Sequence, residues 1–379
     1  MSCSCFGALF SQKKHLEPTE QHSNGFLSVK NIRLFSYVEL KSATDNFHPS
    51  NKIGQGGFGT VYKGALMNGV VVAIKVLSAE SRQGIREFLT EIDAITNVKH
   101  PNLVELIGCC VESSNRILVY EFLENNSLDR ALLGRNCDAS KLNWHIRSEI
   151  CSGIAKGIIH LHEDLVPPIV HRDIKPSNIL LDSNFAPKIG DFGVAKLFPD
   201  NITHISTRVA GTTGYLAPEY ALQGHLTKKA DVYSFGVVLL EIITGRSNSR
   251  SFSECGKPLL EWVWNLFEEN RLIEVVDPAL EEYPQEQVLR YTKVALFCTQ
   301  AAAARRPSMP QVLDMLSKPV QLNDEEITIP CYIEEDSTKF IRGFRAITSN
   351  SLQPKYSMST DSTVPFTSSQ VTFTEISPR

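Results

Sequence analysis

The sequence has no long hydrophobic run, no surplus of basic charge, no paired cysteine framework and no internal repeat. Each absence removes a class of protein. The longest apolar runs, Val70–Ile74 and Phe235–Leu240, fall far short of the roughly 18 residues that cross a bilayer as a helix. Met1–Phe10 lacks the basic start and apolar stretch of a secretory signal. With 38 Lys and Arg against 42 Asp and Glu, the net charge is −4 and the pI near 6.2, so no bulk attraction to nucleic acid is expected. The nine cysteines (Cys3, Cys5, Cys109, Cys110, Cys137, Cys151, Cys255, Cys298 and Cys331) are odd in number and form no CxxC pair. They read as reduced thiols rather than a disulfide or zinc framework. Asn125-Asn126-Ser127 and Asn201-Ile202-Thr203 fit the glycosylation sequon, which is a chance match in a chain of this kind.

What is present is a soluble globular composition, 42% hydrophobic and 21% charged over 379 residues, enough for one large two-lobed domain with tails or for two ordinary domains. Residues 1–34 read as a flexible leader. Phe35 to Leu40 opens a short helix-like segment over 35–50, with Ala43 and Phe47 on the same face, fit to pack on the domain ahead. From Ile53 to Leu77, β-branched residues and glycines predict antiparallel strands with a turn at Met67-Asn68-Gly69. Gly84 to Val98 reads as a helix through Phe88, Ile92 and Ile95. Ile146, Ile150, Ile154 and Ile158 stand four apart after Trp144, and Val232–Ile243 is apolar nearly all round, which places that helix inside a lobe. The domain is expected to end near 318. Residues 319–379 read as a disordered tail, since Ser and Thr fill 14 of the last 33 positions and cannot bury enough apolar surface to order themselves.

The chemistry lies in the spacing of a few residues. His171-Arg172-Asp173-Ile174-Lys175-Pro176-Ser177-Asn178 precedes Asp191-Phe192-Gly193 by thirteen residues, counted from Asn178 to Asp191. Asp173 can accept a hydroxyl proton, Lys175 can reach a transferring phosphate, and Asn178 and Asp191 offer hard oxygen ligands to a metal. Singly, a turn-forming Asp or a capping Asn is ordinary at such places; jointly the spacing points to phosphoryl transfer. Ile53 leads into Gly54-Gln55-Gly56-Gly57-Phe58-Gly59-Thr60-Val61, a GxGxxGxV loop whose glycines let the backbone approach phosphates. A dinucleotide fingerprint needs a helix directly after the glycines, whereas Thr60–Gly64 is strand-like. Val72-Ala73-Ile74-Lys75 then supplies a lysine fourteen residues past Val61. Its carboxylate partner is Glu91, in Glu87-Phe88-Leu89-Thr90-Glu91, with Glu87 one turn earlier as the competitor.

In order and spacing these motifs resemble the protein kinases. Phe35-Ser36-Tyr37-Val38-Glu39-Leu40, Ile169–Asp182 and Gly211–Tyr220 are similar to the plant receptor-like kinases, and the chain resembles their cytoplasmic subgroup, close to the cold-responsive protein kinase set, over about residues 33–318. The resemblance implies an α+β bilobal kinase fold: a small antiparallel β lobe with one helix and a larger helical lobe, over 51–318, with ATP between them. It implies ATP as phosphoryl donor and Mg²⁺ as metal, with Mn²⁺ as a substitute. Tyr120 would be the gatekeeper, with the backbones of Glu121 and Leu123 meeting the adenine edge. Ala217-Pro218-Glu219 closes the activation segment, Arg306 is the expected partner of Glu219, and Asp231 the brace of the catalytic loop. Lys175 and Gly211-Thr212 follow the serine/threonine pattern. Arg172 beside Asp173 is an unpaired arginine that invites a phosphate, and Ser206, Thr207, Thr212 and Thr213 are the acceptors, Thr207 first and Thr212 rather structural. A pseudokinase scaffold would lack Lys75, Asp173 or Asp191; all three are present.

Protein substrates and an upstream receptor kinase are the implied partners, at the cytoplasmic face of the plasma membrane or in the cytosol. Ser2 excludes N-myristoylation. Cys3 and Cys5 are candidates for S-palmitoylation, with Lys13 and Lys14 adding a weak charge attraction. Idle thiols on the leader are the alternative.

Overall fold

Alternation decides the first lobe. In a computed structural model that describes residues 32–56, 59–77, 82–96, 98–134, 142–199, 202–248, 258–318 and 321–331, the strands are β1 (Arg33–Leu34), β2 (Lys52–Gly56), β3 (Gly59–Ala65), β4 (Val71–Leu77), β5 (Leu106–Glu112) and β6 (Asn115–Glu121). They form one sheet in the order β1-β5-β6-β4-β3-β2, antiparallel except for β1 against β5. Two helices accompany it, α1 (Tyr37–Ala43) and α2 (Arg82–Ile95). On β4, Val72 and Ile74 point into a small core with Phe35, Leu40, Cys110, Ile117 and Val119. Period-two geometry therefore sends Ala73 and Lys75 to the opposite face.

The segment ahead of the sheet is part of this lobe. Ser36 caps α1 by accepting the Glu39 N–H at 3.1 Å. Leu40 is fully buried, and Ala43 and Phe47 pack beside it, as the one-sided pattern predicts. The turn at Met67–Gly69 is also where the spacing puts it: Gly69 has φ +81° and donates to the Leu66 carbonyl at 2.8 Å.

The second lobe follows with α3 (Leu128–Leu133), α4 (Trp144–Ile159), β7 (Ile169–Val170), β8 (Ile179–Leu181), β9 (Pro187–Ile189), β10 (Lys196–Leu197), β11 (Ile205–Ser206), α5 (Pro218–Gln223), β12 (His225–Leu226), α6 (Lys229–Thr244), α7 (Leu259–Glu268), α8 (Gln285–Cys298) and α9 (Met309–Ser317). Asn143 caps α4 by accepting the Ile146 N–H, and Ile150, Ile154 and Ile158 are fully buried. Every residue of α6 from Ala230 to Thr244 is buried, which explains its lack of a polar face. It stops at Gly245, left-handed at φ +63° with its N–H on the Glu241 carbonyl.

Both expected boundaries move outward. Arg33–Leu34, assigned above to the leader, pair with Gly108 and Cys109 of β5. Residues 321–331, assigned to a disordered tail, pack on the second lobe. Ile327 and Cys331 are buried, the Tyr233 hydroxyl donates to the Cys331 carbonyl at 2.7 Å, Thr328 donates to Gln300 at 2.8 Å, and Lys293 pairs with Asp324 at 2.7 Å. Polar composition over the whole tail hides the apolar anchoring by Leu322, Ile327 and Cys331. Residues 1–31 and 332–379 lie outside the described residues, so the leader and most of the tail do too. No helix among the described residues is long and apolar enough to cross a membrane.

Candidate active site

Lys75 leaves β4 on the face opposite the small core and meets two carboxylates. Its Nζ lies 3.0 Å from Glu91 Oε2 and 2.8 Å from Asp191 Oδ1. Glu91 of α2 is thus the partner; Glu87, also buried, lies against Gly193 instead. Burial alone would lower the lysine, but Asp191 and then Glu91 outweigh it and hold Lys75 protonated far above its ordinary range. Burial would likewise raise Asp191, and the Lys75 charge overrides it, keeping that carboxylate ionised below its usual value. Glu91 is pushed up by burial, with Lys75 opposing. Tyr120, opposite Ala73 on β6, donates its hydroxyl to Glu91 Oε1. That bond was not foreseen from the sequence, where only the position of Tyr120 at the end of an apolar strand was legible.

The roof and hinge follow from the sheet. Ile53, Gly54, Gln55 and Gly56 lie on β2, with Gly54 opposite Val61, Gln55 opposite Thr60 and Gly56 opposite Gly59. Gly59 has φ +154°, and a Cβ there would fall 2.2 Å from the Val76 carbonyl oxygen, so only glycine fits. Gly57 and Phe58 lie outside the described residues. Glu121 ends β6, its side chain pairing with Lys188 at 2.8 Å.

The catalytic loop is braced from below by Asp231. Its carboxylate accepts the His171 and Arg172 backbone N–H groups at 2.8 Å each and contacts His162 Nε2 at 2.8 Å. Burial would raise Asp231, but the His162 hydrogen bond and neighbouring charge hold it below the usual carboxylate range. His162 escaped the sequence reading, because a lone histidine at a helix end carries no local signal. Arg172 and Asp191 adopt positive φ, +72° and +63°, backbone strain at the two ends of the site. Between them, Asp173 Oδ2 meets Lys175 Nζ and Asn178 Nδ2, both at 2.9 Å. Thr212 donates to Asp173 Oδ1 at 2.7 Å and accepts from Lys175 at 2.6 Å. Gly211 permits this: at φ +125° a Cβ would stand 2.4 Å from the Arg172 carbonyl oxygen.

Asn178 commits its amide nitrogen to the Asp173 carbonyl and carboxylate, so its side-chain oxygen, with the Asp191 carboxylate, is the candidate oxygen donor to a metal. Among the described residues no cluster of three His, Cys, Asp or Glu could hold a metal by itself. Two oxygen donors completed by phosphates are the way Mg²⁺ is bound beside a nucleotide, so these residues fit a cation shared with a substrate.

The activation segment corrects one expectation. Arg172 is not unpaired: its guanidinium donates to the Tyr220 hydroxyl at 2.9 Å, the Val194 carbonyl at 2.9 Å and the Arg208 carbonyl at 2.8 Å. All three acceptors are neutral. Ser206 is exposed on β11, whereas Thr207 and Thr213 are partly buried. At the far end, Arg306 grips both oxygens of Glu219 at 2.7 Å, as the motif pair implies. Tyr215 and the Asn248 N–H bind Glu241, a buried group that the sequence reading passed over.

A strand-borne lysine held by a helix carboxylate, facing a braced Asp–Lys–Asn loop across a cleft, defines a bilobal phosphotransferase. The protein kinase domain family matches residues 47–315. Cold-responsive protein kinase 1 of Arabidopsis thaliana is 52% identical over 320 residues, 83% of this chain and 82% of that protein. A probable LRR receptor-like serine/threonine-protein kinase of the same plant is 56% identical over 292 residues, 77% of this chain but 28% of the relative. A probable leucine-rich repeat receptor-like serine/threonine-protein kinase is 49% identical over 357 residues, 93% of this chain and 35% of the relative. The chain spans about a third or less of these receptor-like proteins. It belongs to the protein kinase family, whose members use ATP and a divalent metal.

Proposed function

We propose that the chain transfers the γ-phosphoryl group of ATP to serine and threonine hydroxyls of protein substrates in receptor-proximal intracellular signalling, with Mg²⁺ as the metal, and that it phosphorylates its own activation segment. The activity class is that of an ATP-dependent serine/threonine protein kinase, as in the relatives' names. The observation that carries the mechanism is the two-ended charge network, Lys75–Glu91–Asp191 at one end and Asp173–Lys175–Thr212 at the other.

In this reading Ile53, Gly54–Val61 and Ala73 cover the nucleotide, and the backbones of Glu121 and Leu123 meet the adenine edge. Lys75, held by Glu91, orients the phosphates. Asn178 and Asp191 hold Mg²⁺, which neutralises phosphate charge when bound. Asp173 accepts the proton of the substrate hydroxyl, and Lys175 steadies the transferring group. Thr212 keeps the substrate platform in register with Asp173. Asp173→Asn should lower casein phosphorylation by about 10²–10⁴-fold while leaving ATP affinity within a few fold. An Asp173→Asn enzyme of undiminished turnover would refute the assignment.

Membrane association through acylated Cys3 and Cys5 remains part of the proposal, supported by two cysteines separated by one residue and the two-chain requirement for stable anchoring. Cys3→Ser/Cys5→Ser protein should leave the membrane fraction; retention there overturns the acyl anchor.

A further inference from the structure

We propose that His204 and His225 form a two-imidazole receptor for a phosphate carried by Ser206. The inference rests on the reading that the activation segment is phosphorylated. Four observations point to it. First, β11 and β12 pair antiparallel with Ser206 directly opposite His225, so the two side chains share a face at close cross-strand range. Second, His204 stands two residues before Ser206, on that same face by strand alternation, and its ring lies 4.8 Å from that of His225. Register and alternation thus put the Ser206 hydroxyl on the face that carries both imidazoles, where the Thr203 hydroxyl contacts His204 Nδ1 at 3.3 Å. Third, Ser206, His204 and His225 are exposed, whereas Thr207 is partly buried with its N–H on the Gly224 carbonyl at 3.1 Å. Fourth, the guanidinium of Arg172 already binds two carbonyls and a phenol. A phosphate entering there must displace one of them.

The chemistry is complementary. A phosphomonoester carries between one and two negative charges near neutrality, with a second pKa of about 6, and an imidazole titrates in the same range. Each favours the charged form of the other, so both rings become donors to phosphate oxygens. Among the described residues, Arg208 stands two residues beyond Ser206, and Lys228, three beyond His225, pairs with Glu163 at 3.2 Å. A dianion bound by β11 and β12 together would fasten the activation segment to the entry of α6, whose Asp231 braces the catalytic loop.

The test uses full-length Asp173→Asn protein with phosphoserine encoded at position 206, so that no autophosphorylation is needed. ³¹P NMR titration from pH 5 to 8 should give a phosphate pKa lower by about half a unit or more than in the same protein carrying His204→Asn/His225→Asn. An Arg208→Gln control should retain most of that shift. Equal phosphate pKa values with and without the histidines, or a shift abolished by Arg208→Gln alone, overturn the proposal. Whether active enzyme places phosphate on the segment is read separately by mass spectrometry, and failure there would sink the autophosphorylation reading while leaving the receptor measurement intact.

Discussion

Glu241 is a residue whose ionisation depends on the fold. Its carboxylate is fully buried on α6 and accepts from the Tyr215 hydroxyl at 2.9 and 3.0 Å and from the Asn248 N–H at 2.7 Å. Those donors favour the charged form, but burial outweighs them and raises the group from 4.5 to about 8. Folding therefore takes up a proton at this site between about pH 4.5 and 8. The resulting contribution to stability is complete below the unfolded value and is lost as pH rises through the folded one. The slope is at most about 1.4 kcal/mol per pH unit. Thermal melts from pH 5 to 9 should fall more steeply for the native protein than for Glu241→Gln; parallel curves would contradict the assignment. The Lys75–Asp191 pair behaves differently. Asp191 titrates below its usual range and Lys75 above its own, so this pair stays charged throughout the same window and adds no slope there.

At the level of elements, the ion pair between the start of α5 and the loop before α9 joins distant parts of the second lobe. Arg306 is 1% exposed and bidentate on Glu219, and it also lies over the Tyr233 ring at 5.1 Å. Removing one partner strands a buried charge, which costs about 3–5 kcal/mol. Arg306→Ala should lose that much in urea unfolding, whereas Arg306→Lys, lacking the fork, should lose less. Equal losses would argue that packing rather than the pair holds the corner. Element by element, the sequence was most readable where one local pattern dominates: the α4 stripe, the run in α6 that is apolar nearly all round, the β-branched β4. It was least readable where a side chain serves another element. The His162 contact to Asp231 and the Tyr220 contact to Arg172 join residues 69 and 48 positions apart, and no local pattern encodes such distances. Arg172 was misjudged as unpaired for the same reason, since its acceptors include carbonyls 22 and 36 residues away.

For the whole molecule, the extent of the domain is the open quantity, because the family match stops at residue 315 while ordered packing continues to Cys331. The strap from 321 to 331 ends against Tyr233, the same ring that Arg306 covers, so it closes the second lobe beneath the Glu219–Arg306 pair. Cutting it away removes Ile327 and uncovers the apolar surface it packs on, a loss of about 1.5–3 kcal/mol of apolar burial. It also removes the hydrogen bond from the Tyr233 hydroxyl to the Cys331 carbonyl, at about 0.5–1.5 kcal/mol more. A chain ending at Lys318 should therefore melt on the order of 10 °C below the full-length protein. A chain ending at Cys331 should melt with the full-length protein, because it keeps both contacts. The comparison separates the strap from the remaining tail, and a chain ending at Lys318 that melts like one ending at Cys331 would show that the strap contributes nothing to the lobe it covers.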